Sequence, residues 1–174
     1  MNLLILKIYT VVMFFYPKRA TVFLRLIFAG CIIFSQLIAE STQAWENEKV
    51  SETRIKLSFN NLETVIRMID NPATRQFLAM LPAEFEFRDF HGQEKITDFP
   101  TPVGLSNAPR GMTATKGKLF IYAPWGNMGI FYRDFSHRLD NNLIELGNVE
   151  SGLENLSSQK SDFTAKIEII FDIG

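Results

Sequence analysis

The sequence predicts a mainly β domain: a closed barrel of short strands carrying one or two short helices. Three observations lead there. Apolar and polar residues alternate with period two in several short stretches, as strands with one buried face require. Aromatic residues make up 13% of the chain, sixteen of them Phe, which suits pleated surfaces better than helical bundles. Only one stretch carries both a start and a stop signal for a helix. Many short strands with so little helix are best accommodated by a sheet closed on itself, which leaves no exposed edge.

The first 44 residues stand apart from this pattern. They hold Lys7, Lys18, Arg19 and Arg25 against the single acid Glu40. An apolar run from Leu26 to Ala39 follows Arg25, and Ser41, Thr42 and Ala44 then supply the small residues that a signal peptidase reads. Residues 1–44 are therefore expected to be a signal peptide cleaved after Ala44, and the protein to be exported, periplasmic or secreted. Met13, just ahead of Tyr16-Pro17-Lys18-Arg19, offers a second start site. Two alternatives stay open. Residues 22–39 are about as long as the shorter spanning helices and would serve as a retained membrane anchor. Cys31, preceded by Phe28-Ala29-Gly30, resembles a lipid-attachment signal, although Ile32 to Ile38 stays apolar beyond it.

Cleavage would leave a domain without cysteine, dependent on neither disulfides nor a reducing compartment. Removing four basic residues and one acid from 18 Lys+Arg and 19 Asp+Glu leaves 14 against 18, a net charge of about −4 with no basic block. Nucleic acid is not an expected partner.

Residues 45–53 are polar and aperiodic and read as a flexible lead-in; the domain proper is 54–174. Arg54 to Phe59 alternates, placing Ile55, Leu57 and Phe59 on one face, and Asn60-Asn61 turns the chain into a second strand over Glu63 to Ile69. A helix is expected from Pro72 towards Pro82: Asn71 caps it, Pro72 suits the first position, and Phe77, Leu78 and Leu81 share its buried face. Glu84 to Phe90 alternates with Phe85 and Phe87 inward, then breaks at Asp89-Phe90, which suggests a bulge. From Phe99 to Lys116, three prolines with Gly104 and Gly111 predict a long irregular excursion broken by short strand pieces. Strands Lys118 to Ala123 and Met128 to Tyr132 flank a turn with Trp125 at its tip, and Phe163 to Phe171 closes the domain.

Several of these stretches, in this order, resemble the cyclophilins and the smaller bacterial cyclophilin-like proteins. Pro72-Ala73-Thr74-Arg75-Gln76-Phe77 looks like the helix start after their opening hairpin, and Phe87-Arg88 falls where cyclophilins place a Phe-His-Arg strand. Tyr122-Ala123-Pro124-Trp125-Gly126-Asn127 and Leu146-Gly147-Asn148-Val149-Glu150-Ser151-Gly152-Leu153 are similar to two motifs of the smaller proteins. The spacing of Gly147 and Gly152 is the most specific of these features. The resemblance implies a cyclophilin-like barrel with a groove on its side.

In a cyclophilin that groove twists an X-Pro bond while an Arg stabilises the pyramidal prolyl nitrogen. The resemblance makes Arg88 the candidate catalytic residue and puts Phe131 and Ile130 under the proline ring. Trp125 and Tyr132 complete the candidate ligand-binding set. The chain departs from the cyclophilin pattern with Leu143 and Arg138 near the last glycine motif, and with Met128 or Gly129 where a groove Gln is expected. The reading is a binding module for a peptide or small molecule; the alternative is a weak peptidyl-prolyl isomerase. His91 and His137 lack partners at ligand spacing, so neither metal nor cofactor is expected.

Overall fold

The computed structural model describes residues 34–36, 38–42 and 53–170. The chain divides into two units, Met1–Glu46 and Asn47–Gly174. In the first, the described residues are helical and exposed, with the Ser41 and Thr42 hydroxyls donating back to the Ile38 carbonyl. The remainder of the expected signal peptide, most of its anchor alternative, and the lead-in up to Glu52 lie outside the described residues.

The second unit is a closed antiparallel barrel with a two-stranded ribbon. Its strands are β1 (Arg54–Phe59), β2 (Leu62–Met68), β3 (Ala83–Phe90), β4 (Glu94–Thr97), β5 (Met112–Ala114), β6 (Lys118–Tyr122), β7 (Asn127–Phe131), β8 (Ser136–Asp140), β9 (Leu143–Ser151) and β10 (Phe163–Ile170). The helices are α1 (Pro72–Leu78) and α2 (Leu153–Ser158). Around the barrel the order is β1-β10-β3-β4-β7-β6-β9-β2, and β5 pairs with β8 separately.

Alternation decides which side chains enter the barrel. Ile55, Leu57 and Phe59 of β1, Phe85 and Phe87 of β3, Met128 and Ile130 of β7, and Phe163, Ala165 and Ile167 of β10 all face the core. Phe87 stacks on Phe163 at 5.5 Å, and Phe163 meets Phe59 at 4.7 Å. α1 adds Phe77, fully buried and edge-on to Phe85 and Phe99 at about 6 Å.

Three sequence expectations need correcting. The helix stops at Leu78, not at Pro82, because the chain tightens to i→i+3 bonds, Met80 N to Phe77 O and Leu81 N to Leu78 O, to enter β3 at Ala83. There is no bulge at Asp89-Phe90: the pairing runs unbroken from Arg88 opposite Ile96 to Phe90 opposite Glu94. β4, β8 and β9 were not anticipated as strands. β4 follows a three-residue connection, His91 to Gln93, closed by Gln93 N donating to the Phe90 carbonyl, in which both His91 (φ 54°) and Gly92 (φ 67°) are left-handed.

The start of α1 behaves as expected. Asn71 is buried; its Oδ1 accepts from Ala73 N and Thr74 N at 2.9 and 3.0 Å, while its Nδ2 donates to the Glu145 carbonyl of β9. Asn71→Ala removes both the cap and the tie, so it is expected to destabilise the domain by about 1–2 kcal/mol. A fall in the urea midpoint at unchanged slope checks this.

Candidate functional site

The outward faces of β3, β4, β7 and β6 form the floor of a cavity of about 210 Å³ roofed by the β5–β8 ribbon. Cross-strand pairing fixes its layout. One row runs Phe90, Glu94, Phe131 across β3, β4 and β7; the next runs Arg88, Ile96, Gly129, Phe120. A third joins Asn127 of β7 to Tyr122 of β6 and Leu143 of β9.

Gly129 makes the floor possible. A Cβ there would lie 2.4 Å from Phe120 Cζ and 3.1 Å from Glu94 Oε2. Without one, the Phe120 ring settles over the glycine and stacks on Phe131 at 4.3 Å, nearly parallel. Met112, Ala114 and Leu143 pack with this pair in an apolar cluster separate from the barrel core. The ribbon is tied down by Gly111 N to Leu143 O, Gly117 N to Phe131 O and Phe135 N to Ala114 O, each at 2.7–2.9 Å.

At the mouth, the turn after β6 closes through Gly126 N to Tyr122 O, with Gly126 at φ 68°. It holds Trp125 edge-on to Phe90 at 5.8 Å and to Tyr122 at 5.2 Å. Trp125 nevertheless remains 64% exposed. Phe135 forms the opposite side, 6.2 Å from Phe131.

The polar lining is small and of one sign. Glu94 is only 8% exposed, yet its carboxylate accepts no hydrogen bond among the described residues. Burial, with the Asp89 charge adding to it, pushes its carboxyl up to about 7. Asn127, 3% exposed, also lines the floor, and its Oδ1 has no partner in the described structure. Asp140 contributes from β8. None of the lining residues is Arg, Lys or His.

The opposite face of the same strands carries a satisfied network. Lys95, 1% exposed, donates to Asp89 Oδ2 and to the Gln159 carbonyl, each at 2.7 Å, and the Tyr132 hydroxyl donates to the same carboxylate at 2.6 Å. Burial works against the Asp89 charge, but the hydrogen bonds from Lys95 and Tyr132 outweigh it and hold the carboxyl below its ordinary value. Burial, with Asp89 adding to it, pushes the Tyr132 phenol up to about 12. The adjacent residues thus have opposite fates: Lys95 anchors structure, and Glu94 faces the cavity.

The sequence-derived site residues are only partly brought together. Phe131 and Trp125 line the cavity. Ile130, their neighbour in sequence, points into the barrel core, and Tyr132 faces the Asp89–Lys95 network, because successive strand residues alternate between faces. Arg88 shares the outer face, but its guanidinium pairs with Asp98 at 3.1 Å and stays outside the lining. Both groups are largely exposed, so Arg88→Ala is expected to change stability by less than about 0.5 kcal/mol in a denaturant titration. Sequence reading missed Glu94, Phe120 and Asn127, and named Gly129 only, beside Met128, as a departure at an expected groove Gln. Phe90 was noticed only as a break in alternation. Among the described residues, no group of three His, Cys, Asp or Glu side chains gathers to hold a metal.

Comparison with known proteins agrees with this architecture. A family model described as "Cyclophilin-like family" matches residues 57–168. The solution structure of the hypothetical protein AF2241 from Archaeoglobus fulgidus is similar in fold, with a TM-score of 0.56 at 12% identity, covering 68% of this chain and 95% of that one. No curated protein matches the sequence.

Proposed function

The chain belongs to the cyclophilin-like family, and we propose that it is an exported binding module receiving a small molecule, or one side chain of a peptide, in the aromatic cavity. The observation that carries this is the cavity itself. Six aromatic rings from β3, β6, β7 and the two bordering loops surround a space that no side chain of the described residues fills. A structural surface would fill or close it, since interiors pack densely. At about 210 Å³, the cavity lies below the roughly 300–1,000 Å³ of drug-sized sites and suits a compact group.

The family fold alone does not assign an activity. Isomerase chemistry would need a donor at the prolyl nitrogen, and the nearest candidate, Arg88, is engaged with Asp98 outside the lining. Export rests on the composition of residues 1–44. Amino-terminal sequencing of protein recovered from outside the cytoplasm should begin at Trp45; a retained Met1 or Met13 start would favour the anchored alternative.

Saturation-transfer NMR with indole, benzyl alcohol and benzylamine tests the module. At least one probe should receive saturation from the full chain and lose it in Gly129→Val, whose side chain drives Phe120 into the cavity. Saturation by none, or undiminished in Gly129→Val, would overturn the reading. Faster cis/trans exchange in acetyl-Ala-Pro-Phe amide, lost on Arg88→Ala, would replace it with the isomerase.

A further inference from the structure

We propose that the cavity selects a cation, specifically the ammonium group of a small amine, held by the Glu94 carboxylate between aromatic faces. This inference rests on the binding-module reading and specifies its ligand class. Three independent features converge on it.

The first is the orphaned acceptor. Glu94 stands between Phe90 and Phe131 in one cross-strand row, more than nine-tenths buried, and accepts no hydrogen bond from any described residue. Buried carboxylates are ordinarily paired, because leaving one unpaired is costly. The nearest lysine, Lys95, is directed to the opposite face and already engaged by Asp89 and Gln159. No donor of the described domain reaches the carboxylate, which faces the cavity and is open to a donor that a ligand brings.

The second is charge. The titratable groups that line the cavity are Glu94 from β4, Asp140 from β8 and the Tyr122 phenol from β6, with Asp89 of β3 acting on Glu94 from the adjoining strand. All bear negative charge or none, and Asn127 adds a further unpartnered acceptor atom. An anionic ligand would meet repulsion, and a neutral donor could hydrogen-bond the carboxylate but would leave its charge uncompensated.

The third is the wall chemistry. Phe90, Phe120, Tyr122, Trp125 and Phe131 surround the carboxylate, and aromatic faces attract cations through their quadrupoles, Trp most strongly. Burial, with the Asp89 charge adding to it, raises the Glu94 carboxyl, and a bound cation would lower it.

Isothermal titration calorimetry of the full chain with benzylammonium chloride, benzyl alcohol and benzoate at pH 6 and pH 8 decides the matter. Benzylammonium should bind at pH 8 about 10-fold or more tightly than benzyl alcohol, with benzoate silent. At pH 6 its binding should weaken and release a proton, seen as an enthalpy that depends on the buffer's own ionisation heat. Glu94→Gln keeps the shape and should abolish both the preference and the proton release. Equal binding of amine and alcohol, unaffected by Glu94→Gln, would overturn the cation inference while leaving the binding module standing. No binding of any probe would remove both. Running Nα-acetyl-lysine methylamide beside benzylammonium separates the two sources of such a group: tighter binding of the former points to a lysine side chain of a peptide, tighter binding of the latter to a free amine.

Discussion

Gly152→Ala is expected to destabilise the barrel by about 3 kcal/mol or more, the largest single-site effect anticipated here. Two costs add at this position. Gly152 has φ 77°, a conformation that costs an L-residue roughly 1–2 kcal/mol. Its new Cβ would also lie 2.2 Å from the Glu63 carbonyl and 3.0 Å from Thr64 Cα, both backbone atoms of β2 that cannot move without breaking the sheet. The glycine carbonyl in turn accepts from the Thr64 hydroxyl at 2.8 Å, and Asn155 Nδ2 donates to the Glu63 carbonyl at 2.6 Å, so the junction between β9 and α2 is pinned to β2. Urea unfolding monitored by circular dichroism should show the midpoint collapse. A variant within about 0.5 kcal/mol of wild type would mean that β2 yields more easily than its pairing implies.

Gly147 tells the same story from the other end of the motif: a Cβ there would meet the Arg67 carbonyl at 2.5 Å. The two glycines whose spacing carries the family resemblance are thus places where β9, and the junction that follows it, approach β2 too closely for a side chain. The motif records strand packing, and its presence speaks to fold more than to activity.

That distinction explains what was legible in the sequence. Strands with one face in the core, such as Arg54–Phe59 and Glu84–Phe87, announce themselves by alternation, and Asn71-Pro72 announces α1. β4 did not, because Glu-Lys-Ile-Thr is buried on both faces and reads as a charged loop; Lys95 is satisfied by Asp89 across the hairpin and by the distant Gln159 carbonyl, which only the folded chain brings together. Phe90 is the instructive case. Its break in the pattern reflects an outward-facing ring covered by Trp125, so the irregularity marked the cavity and no bulge was needed. Phe131 could be named from sequence, but choosing between it and Ile130 required knowing which face of β7 lies outside the barrel. Arg88 was assigned by resemblance, and only the neighbouring Asp98 shows where its charge is spent.

Glu94→Gln is expected to make the folded domain more stable at pH 8, and the size of that gain measures what the site costs. An unfolded Glu carboxyl titrates at its ordinary 4.5, whereas in the folded domain burial, with the Asp89 charge adding to it, pushes the group up to about 7. Between those values the native state binds the extra proton, so the stabilising contribution is complete below pH 4.5 and is lost as the pH rises through 7. Converted at about 1.4 kcal/mol per unit and reduced because the carboxylate meets cavity water, the loss is about 1–3 kcal/mol. The glutamine cannot titrate, so the stability difference between variant and wild type should be small at pH 5 and grow to that value at pH 8. Comparing the two proteins cancels every other group that titrates in the window. A difference independent of pH would show that Glu94 is charged throughout and already paired. If the slope is found, the domain carries an unpaired buried charge that a single isosteric change would relieve, and such local conflict with folding is expected where a site serves binding.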